Sequence, residues 1–287
     1  MKIFKLVVIL FSVLLVLTKC TPKPLDIELP QLEPKLVIAS QVIPGQIMLV
    51  TVTKSFGALE YQQDAGDTTG ADSNLLAQIY VDSALVTISY RDRTDTLFGI
   101  GAGVYGSINT PQYLNEDYRL YVYDRKSGLS ITSTARMLPF VGFQNVTAER
   151  SSNGQLTYID AKIDFTDREN EENYYMVNFY GKADTSYSGN LFSYSASPYQ
   201  TFIISDKEHT TKDISVNYKL YDWSDDTLFV SLSNISKEYY SYLAARLRNQ
   251  SSLGPLLSEP VQYPSNIENG YGFFTTHYPA IRIMYVP

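Results

Sequence analysis

The chain has 287 residues and a formal net charge of −7, with 30 acidic against 23 basic residues. An acidic surface repels phosphate backbones and anionic headgroups, which argues against nucleic-acid binding and against electrostatic docking to anionic lipid. The chain contains 24 tyrosines and 13 phenylalanines but one tryptophan and one cysteine. Tyrosine in this number, together with many Val, Ile and Thr residues, favours β structure with half-buried rings and solvated hydroxyls.

The first 20 residues predict export and a lipid anchor. A basic start precedes an apolar run from Leu6 to Leu17, and these twelve residues are too few to span a bilayer as a helix. Cys20 follows, three residues after Leu17. This arrangement resembles a bacterial lipobox, which implies cleavage before Cys20 and acylation of that cysteine. Lys19 departs from the small residue usual at its position, and the alternative is an ordinary secreted protein with a chance cysteine.

Residues 1–19 are therefore the predicted lipoprotein signal peptide, and residues 20–34 the predicted tether. Four prolines in residues 21–34 favour an extended chain over a helix. Two or more acyl chains on Cys20 would attach the protein stably to a membrane, where one chain would not.

Short strands with period-two patterns follow the tether. Lys35–Ile43 and Ile47–Thr53 flank Pro44 and Gly45, which predicts a hairpin, and residues 84–90 alternate between apolar and polar. Further alternating segments separated by turns continue to Pro139. We interpret residues 35–138 as an immunoglobulin-like β-sandwich.

Leu114 and Tyr118 mark a candidate crossover between the two sheets. A leucine four residues before a tyrosine, followed by the alternation of Tyr118, Leu120 and Val122, resembles the tyrosine corner of immunoglobulin-like sandwiches. In that corner the tyrosine hydroxyl bonds to upstream backbone. We therefore expect a structural role for Leu114 and Tyr118, although the cysteine pair of antibody domains is absent.

Residues 139–287 read as a second β-rich domain with one helix near the C terminus. The helix is expected at residues 237–250, with Ser236 as its N-cap and Gly254-Pro255 beyond its end. Apolar side chains at helical spacing, such as Tyr239 and Leu243, are expected to pack onto a sheet. The fold class is all-β, with two consecutive β domains.

Motifs for catalysis or cofactor binding are scarce. Two histidines, His209 and His277, are too few for a typical zinc site, and neither a G-x-S-x-G elbow nor a phosphate-binding glycine loop occurs, so we expect no enzyme and no cofactor. Asp164, Asp167 and Glu169 belong to an acidic cluster whose oxygens suit Ca²⁺. A solvated loop is the preferred interpretation of such a charge run, so these three are weak calcium candidates.

Features spread along nearly the whole mature chain together resemble one family. They are, in order, the acylated cysteine and LDIELPQLEPKLVI, SALVTI, EDYRLYV, Met137–Pro139, IDFTDRENEENYY, the KEYYSYL helix and EPVQYPSNIENGYGFF. In this order they are similar to the Bacteroidetes lipoproteins called the "domain of unknown function 4249" family. The resemblance implies an all-β outer-membrane lipoprotein, often paired with a TonB-dependent receptor, and it implies no biochemical activity and no catalytic residues.

Three functions follow as predictions. The preferred one is an accessory or assembly protein, lipid-anchored in the outer membrane and on the cell surface rather than the periplasmic face, that docks on a β-barrel such as a TonB-dependent receptor. It predicts an apolar or tyrosine-rich patch larger than a few hundred Å². The alternatives are a glycan or small-ligand binding module with a concave aromatic pocket, and a fimbrial subunit with a displaceable terminal strand.

Overall fold

The computed structural model describes residues 33–43, 45, 47–55, 78–152, 154, 156–168, 171–181, 198–250 and 263–287. These ranges hold sixteen strands and the helix α1 (Lys237–Gln250) near the C terminus. The expected all-β class with a helix near the C terminus is therefore confirmed. Cys20, the signal peptide and nearly all of the tether lie outside the described residues.

The strands form two sets of eight in chain order, and one strand of the second set pairs with a sheet of the first. The first set is β1 (Leu36–Ile43), β2 (Ile47–Lys54), β3 (Ala84–Tyr90), β4 (Arg93–Thr96), β5 (Phe98–Gly101), β6 (Val104–Ser107), β7 (Asp117–Asp124) and β8 (Ser130–Arg136). The second set is β9 (Phe143–Ser152), β10 (Thr157–Thr166), β11 (Tyr174–Tyr180), β12 (Gln200–Ser205), β13 (Asp213–Tyr221), β14 (Thr227–Ile235), β15 (Tyr271–Phe273) and β16 (Ala280–Tyr285).

The first sandwich consists of a five-stranded sheet, in the order β15-β1-β2-β6-β5, and a four-stranded sheet, in the order β4-β3-β7-β8. Alternate residues along β2 and β7 point inward, as a strand with one wet face requires. The inward residues of both sheets share one core, which includes Leu36, Ile38, Val50, Val52, Ile88, Tyr118, Leu120 and Val122.

The second sandwich packs a three-stranded sheet, in the order β13-β10-β9, against a four-stranded sheet, in the order β12-β11-β14-β16. Its core includes Ile159, Ile163, Phe165, Val177, Phe179, Leu220, Val230 and Leu232. Helix α1 covers part of the outer face of the four-stranded sheet, where Leu243 packs with Tyr174 and Met176. Strand β11 is thus covered on both faces, which explains its nearly unbroken buried run.

Helix α1 begins where its sequence allows a cap. The Ser236 hydroxyl accepts a hydrogen bond from the Tyr239 amide at 3.2 Å, which satisfies one of the free N–H groups of the first turn. Tyr239 and Tyr242 then pack against Phe273, with ring centroids 5.1 and 5.4 Å from it. The helix is therefore fixed both to its sheet and to the segment that contains β15.

Residues 263–279, which we call the return segment, carry the chain from the second sandwich back to the first. Strand β15 pairs in parallel with β1, and Glu268 forms a bridge with Thr132 on β8. Ile267 and Phe274 enter the first core. The sequence analysis placed the whole of 139–287 in the second domain, and the structure places this part of it in the first sandwich. Since Pro34–Pro287 form one compact unit, the two domain boundaries stay a prediction.

Arg150 on β9 fixes the last strand to the rest of the second sandwich. Its guanidinium donates to the main-chain oxygens of Trp223 at 2.8 Å, Asp225 at 2.7 Å, and Val286 and Pro287 at 3.0 Å. One planar donor group thus satisfies four carbonyl acceptors that come from two separate segments. The end of β16 and the loop after β13 are therefore held together.

The return segment approaches β1 so closely that it needs a glycine. Gly272 has φ +92°, and a Cβ at this position would lie 2.0 Å from the carbonyl oxygen of Ile38. We expect Gly272→Ala to lower the free energy of unfolding by about 3 kcal/mol, from backbone strain plus this contact. Urea denaturation monitored by circular dichroism measures the loss.

Gly128→Ala is the matched control. Gly128 also has a positive φ, +73°, but nothing lies within 4 Å of the added Cβ. Its expected loss is about 1 kcal/mol, the cost of a left-handed alanine alone. Equal losses in the two variants would contradict the importance of the close approach to Ile38.

Candidate functional site

The residues named as calcium candidates are engaged with neighbouring side chains. Asp164 lies on β10, 3.5 Å from Lys162 Nζ, and Asp167 accepts a hydrogen bond from the Tyr175 hydroxyl. Burial, and then this hydrogen bond, raise the pKa of Tyr175, so the hydroxyl remains a donor. Glu169 lies outside the described residues. Within the described ranges, no three His, Cys, Asp or Glu side chains are grouped so as to hold a metal ion, and calcium binding stays a prediction.

Tyr118 and Leu114 lie where the chain crosses from one sheet of the first sandwich to the other. The buried Tyr118 hydroxyl donates to the carbonyl of Pro111 at 2.7 Å and accepts from the amide of Tyr113 at 2.7 Å. Burial raises the pKa of Tyr118, which keeps the hydroxyl protonated. Leu114 is 43% exposed, so it does not share the burial of the tyrosine. The hydroxyl therefore holds the connection between β6 and β7.

An open polar depression of about 390 Å³ lies beside the end of β10. Its described lining is Asp167, Glu172, Asp206, Lys207, His209, Thr210, Thr211 and Lys212. Glu172 pairs with Lys207 at 2.8 Å and with Lys237 at 3.4 Å, and the hydrogen bond from Lys207 is the main cause that lowers its pKa. Opposite charges thus offset each other here. No Phe, Tyr or Trp ring belongs to that described lining, so the depression differs from the concave aromatic pocket expected for a glycan.

A smaller cavity of about 180 Å³ lies where β8, the start of α1 and the return segment meet. His277 lines it, with Nδ1 3.3 Å from Thr275 Oγ1 and its ring stacked on Tyr239 at 5.8 Å. Burial lowers the pKa of His277 to about 4, so the ring is neutral at neutral pH. Small-molecule sites usually enclose roughly 300 Å³ or more, and this cavity is better understood as part of a structural junction.

The two most exposed large apolar side chains of the described first sandwich lie near one glycine. Phe98 is 69% exposed and Ile108 is 74% exposed. Phe98 is paired with Gly106 across the sheet, so both lie on the same outer face, and Ile108 follows β6 directly. A group of this kind on a soluble surface indicates an interaction site when it is contiguous.

The side chains around Gly106 show that the exposed apolar residues form one continuous surface. A Cβ at Gly106 would lie 2.9 Å from terminal carbons of Ile47, Leu49 and Ile100, so these three side chains converge over the glycine. The absent side chain leaves room for these three apolar side chains to pack together over the strand. We call this surface the Gly106 patch, and it consists of Ile47, Leu49, Phe98, Ile100, Gly106 and Ile108.

The sequence analysis missed the Gly106 patch because β5 has its apolar residues on the outside. Gly99 lies opposite the buried Tyr105 on the neighbouring strand, and a Cβ at Gly99 would be in ordinary contact with that ring at 3.5 Å. Since Tyr105 fills the core, Phe98 and Ile100 face solvent. The alternation of large apolar residues with glycine was the available signal, since glycine on a strand often marks a close approach of another group.

A second apolar stripe runs along the last strand. Ile281, Ile283 and Tyr285 on β16 are 50%, 65% and 71% exposed and point to one side of the sheet. Residues 281–286 are apolar except for Arg282. A run with apolar residues at both alternating sets of positions does not indicate which face is buried, so this exposure was not predictable from the sequence.

Comparison with known proteins gives one family and a weak structural likeness. A family model described as "Domain of unknown function (DUF4249)" matches residues 22–279. No curated protein matches the chain. A crystal structure of a DUF3823 family protein from Parabacteroides merdae aligns with 53% of this chain and 79% of its own chain, at 10% identity. The TM-score of 0.23 is too low to indicate a shared fold. Within the described residues, no helix has the length and apolarity needed to cross a bilayer.

His277 gives the junction a predicted pH dependence. Its pKa is about 4 in the folded chain and 6.5 ordinarily, so the unfolded chain binds the proton more readily. The stability contributed by the neutral ring is complete above pH 6.5 and is lost as the pH falls toward 4, by up to about 3 kcal/mol. The charged groups that line the cavity are Arg136 on β8 and Glu238 on α1.

The measurement is urea denaturation of the wild type and His277→Gln at a series of pH values from 7.5 to 4. The difference in unfolding free energy between the two chains is expected to shrink as the pH falls, because glutamine does not titrate. A constant difference across this range would show that His277 does not lose its proton affinity on folding.

Proposed function

The chain belongs to the domain of unknown function 4249 family. We propose that it is a non-catalytic docking lipoprotein of the outer membrane. It would bind a β-barrel partner such as a TonB-dependent receptor through the Gly106 patch. The observation that carries this proposal is the patch itself: two strongly exposed apolar side chains beside an apolar cluster that packs over Gly106. Burial of such side chains supplies most of the energy at protein interfaces.

The position of the patch favours a protein partner over the bilayer. Leu36, the first residue of β1, pairs with Lys54, whereas Ile47 lies at the other end of β2, about 23 Å away. The tether joins the sandwich at the Leu36 end. The fifteen residues 20–34 would span roughly 45 Å as a polyproline-II chain. The Gly106 patch therefore lies at the end of β2 that is remote from the tether. A partner that projects from the membrane, as a receptor does, could reach it there.

The fimbrial alternative has less support. Strand exchange requires a terminal strand that leaves its sheet easily. Strand β1 pairs with β2 along its whole length, and three of its residues also pair with β15. The end of β16 is held by Arg150. Releasing either strand would break several main-chain hydrogen bonds at once. We therefore prefer docking by a folded surface.

The lipid anchor has a direct test. Cys20→Ser is expected to abolish incorporation of a clickable palmitate analogue and to release the protein from the membrane fraction, because no other cysteine is available for acylation. Gel fluorescence and fractionation measure the two effects. Labelling that persists in Cys20→Ser would refute attachment at this residue.

The docking surface is tested by affinity purification of the tagged full-length protein from mildly solubilised outer membranes, followed by mass spectrometry. We expect a β-barrel receptor in stoichiometric amount. Phe98→Lys is expected to weaken its binding about thirty-fold, equivalent to about 2 kcal/mol, because it replaces an exposed apolar ring of the patch with a charge. Ile108→Lys is expected to act in the same direction.

Tyr121→Lys is the control for this experiment. Tyr121 is 40% exposed on β7, in the other sheet of the first sandwich, so the variant adds the same charge away from the patch. It should retain the receptor. A monodisperse protein that brings down no barrel would refute docking, and equal loss in Tyr121→Lys would refute the assignment to the Gly106 patch.

A further inference from the structure

Among the described residues, strand β16 lies at the edge of its sheet and its ladder is regular. It pairs with β14 over six positions, from Ala280 opposite Leu232 to Tyr285 opposite Thr227, without a register shift. Among the described strands it has no neighbour on its other side. Natural edge strands are usually protected against pairing by bulges, prolines or inward-pointing charges.

The contrast with β5 shows that protection is available in this fold. The register of β5 shifts between Gly99 and Gly101, and Gly101 has φ +108°. That irregularity interrupts the main-chain groups a second strand would need. In β16 the prolines, Pro279 and Pro287, stand only outside the strand, so the six residues between them remain competent to pair.

We propose that β16 pairs antiparallel with β16 of a second copy of this chain, about a two-fold axis at Ile283. In this register Ile283 faces Ile283 of the second copy, and Ile281 faces Tyr285. Since side chains alternate along a strand, these three pairs lie on one face of the joined sheet. All three exposed apolar side chains of β16 are then covered by one another.

The charges of β16 favour this register over its neighbours. With the axis at Ile283, Arg282 faces Met284 of the second copy, and no like charges are opposed. With the axis at Arg282, two arginines would face each other, which destabilises a cross-strand pair. With the axis at Met284, Ile281 would face Pro287, which has no N–H to donate. The sequence IRIMY is therefore self-complementary in one register.

The strand is also held in the conformation that pairing needs. The Val286 amide donates to the carbonyl of Asp226 at 2.7 Å, and Arg150 binds the carbonyls of Val286 and Pro287. A strand fixed in this way loses little conformational freedom on association. Two four-stranded sheets would join into one sheet of eight strands, with the closed two-fold symmetry common among oligomers.

This inference uses a surface separate from the Gly106 patch, so it goes beyond the proposed docking function and stands or falls without it. The test is site-specific disulfide formation in the full-length chain, in outer-membrane preparations and after purification in mild detergent. Ile283→Cys would place two thiols directly opposite each other across the axis. Paired strand positions of this kind fall within the Cα separation that a disulfide accepts.

Ile281→Cys is the matched variant, because its thiol would face Tyr285 and lie four residues from its own counterpart. After mild oxidation we expect roughly ten-fold more disulfide-linked dimer from Ile283→Cys than from Ile281→Cys, and we expect cross-linking to return when Ile281→Cys and Tyr285→Cys chains are mixed. The unmodified chain reports any cross-link through Cys20. No dimer from Ile283→Cys, or equal dimer from both single variants, would overturn the proposal.

Sedimentation velocity of the purified full chain provides a second measurement. Ile283→Lys would oppose two ammonium groups at the axis and is expected to convert dimer into monomer. Tyr121→Lys carries the same added charge on an exposed strand of the first sandwich and should remain a dimer. A monomeric wild type at every concentration, or a dimer that Ile283→Lys leaves intact, would overturn the pairing of β16.

Discussion

The contact between the return segment and β1 is the constraint on which the arrangement of this protein depends. Gly272 passes so near the carbonyl oxygen of Ile38 that a side chain has no room, and the next residue, Phe273, packs against Tyr239 and Tyr242 on α1. One short segment therefore contacts the first sheet on one side and the helix of the second sandwich on the other. The stability of either part depends on the other through these few residues.

Both candidate surfaces arise from the same physical cause, an inversion of the usual strand pattern. In β5 the residue opposite the buried Tyr105 is Gly99, and the large residues Phe98 and Ile100 on either side of it are exposed to water. In β16 the inward Met284 contributes to the second core, while Ile281, Ile283 and Tyr285 alternate with it on the outside. Exposed apolar patches lower the solubility of a protein unless a partner covers them. Both surfaces are therefore reasonable binding sites for the partners proposed above.

Local patterns predicted much of the secondary structure. The alternation around Tyr118 places β7 with the correct face inward, and the cap at Ser236 together with helical spacing gives α1 over 237–250. The family was recognisable from several short sequence segments and the order in which they follow one another along the chain. The position of β15 was not predictable, because a three-residue parallel strand has too little pattern and its partner is far away in sequence. Which face of β5 or β16 is exposed depends on the neighbouring strands that fill the core. The sequence of a single strand does not contain that information.

The return segment also affects the order in which the molecule can assemble. Ser40 exchanges hydrogen bonds with Thr275 across 235 residues of sequence, and Ile267 and Phe274 complete a core that begins at Leu36. Because a chain is synthesised from its N terminus, β1 is available long before the segment that pairs with it. Such non-local contacts slow folding, since a long loop must close before they form. During that interval the first sandwich has an open edge beside β1, and this is the stage at which folding chaperones would have most to protect.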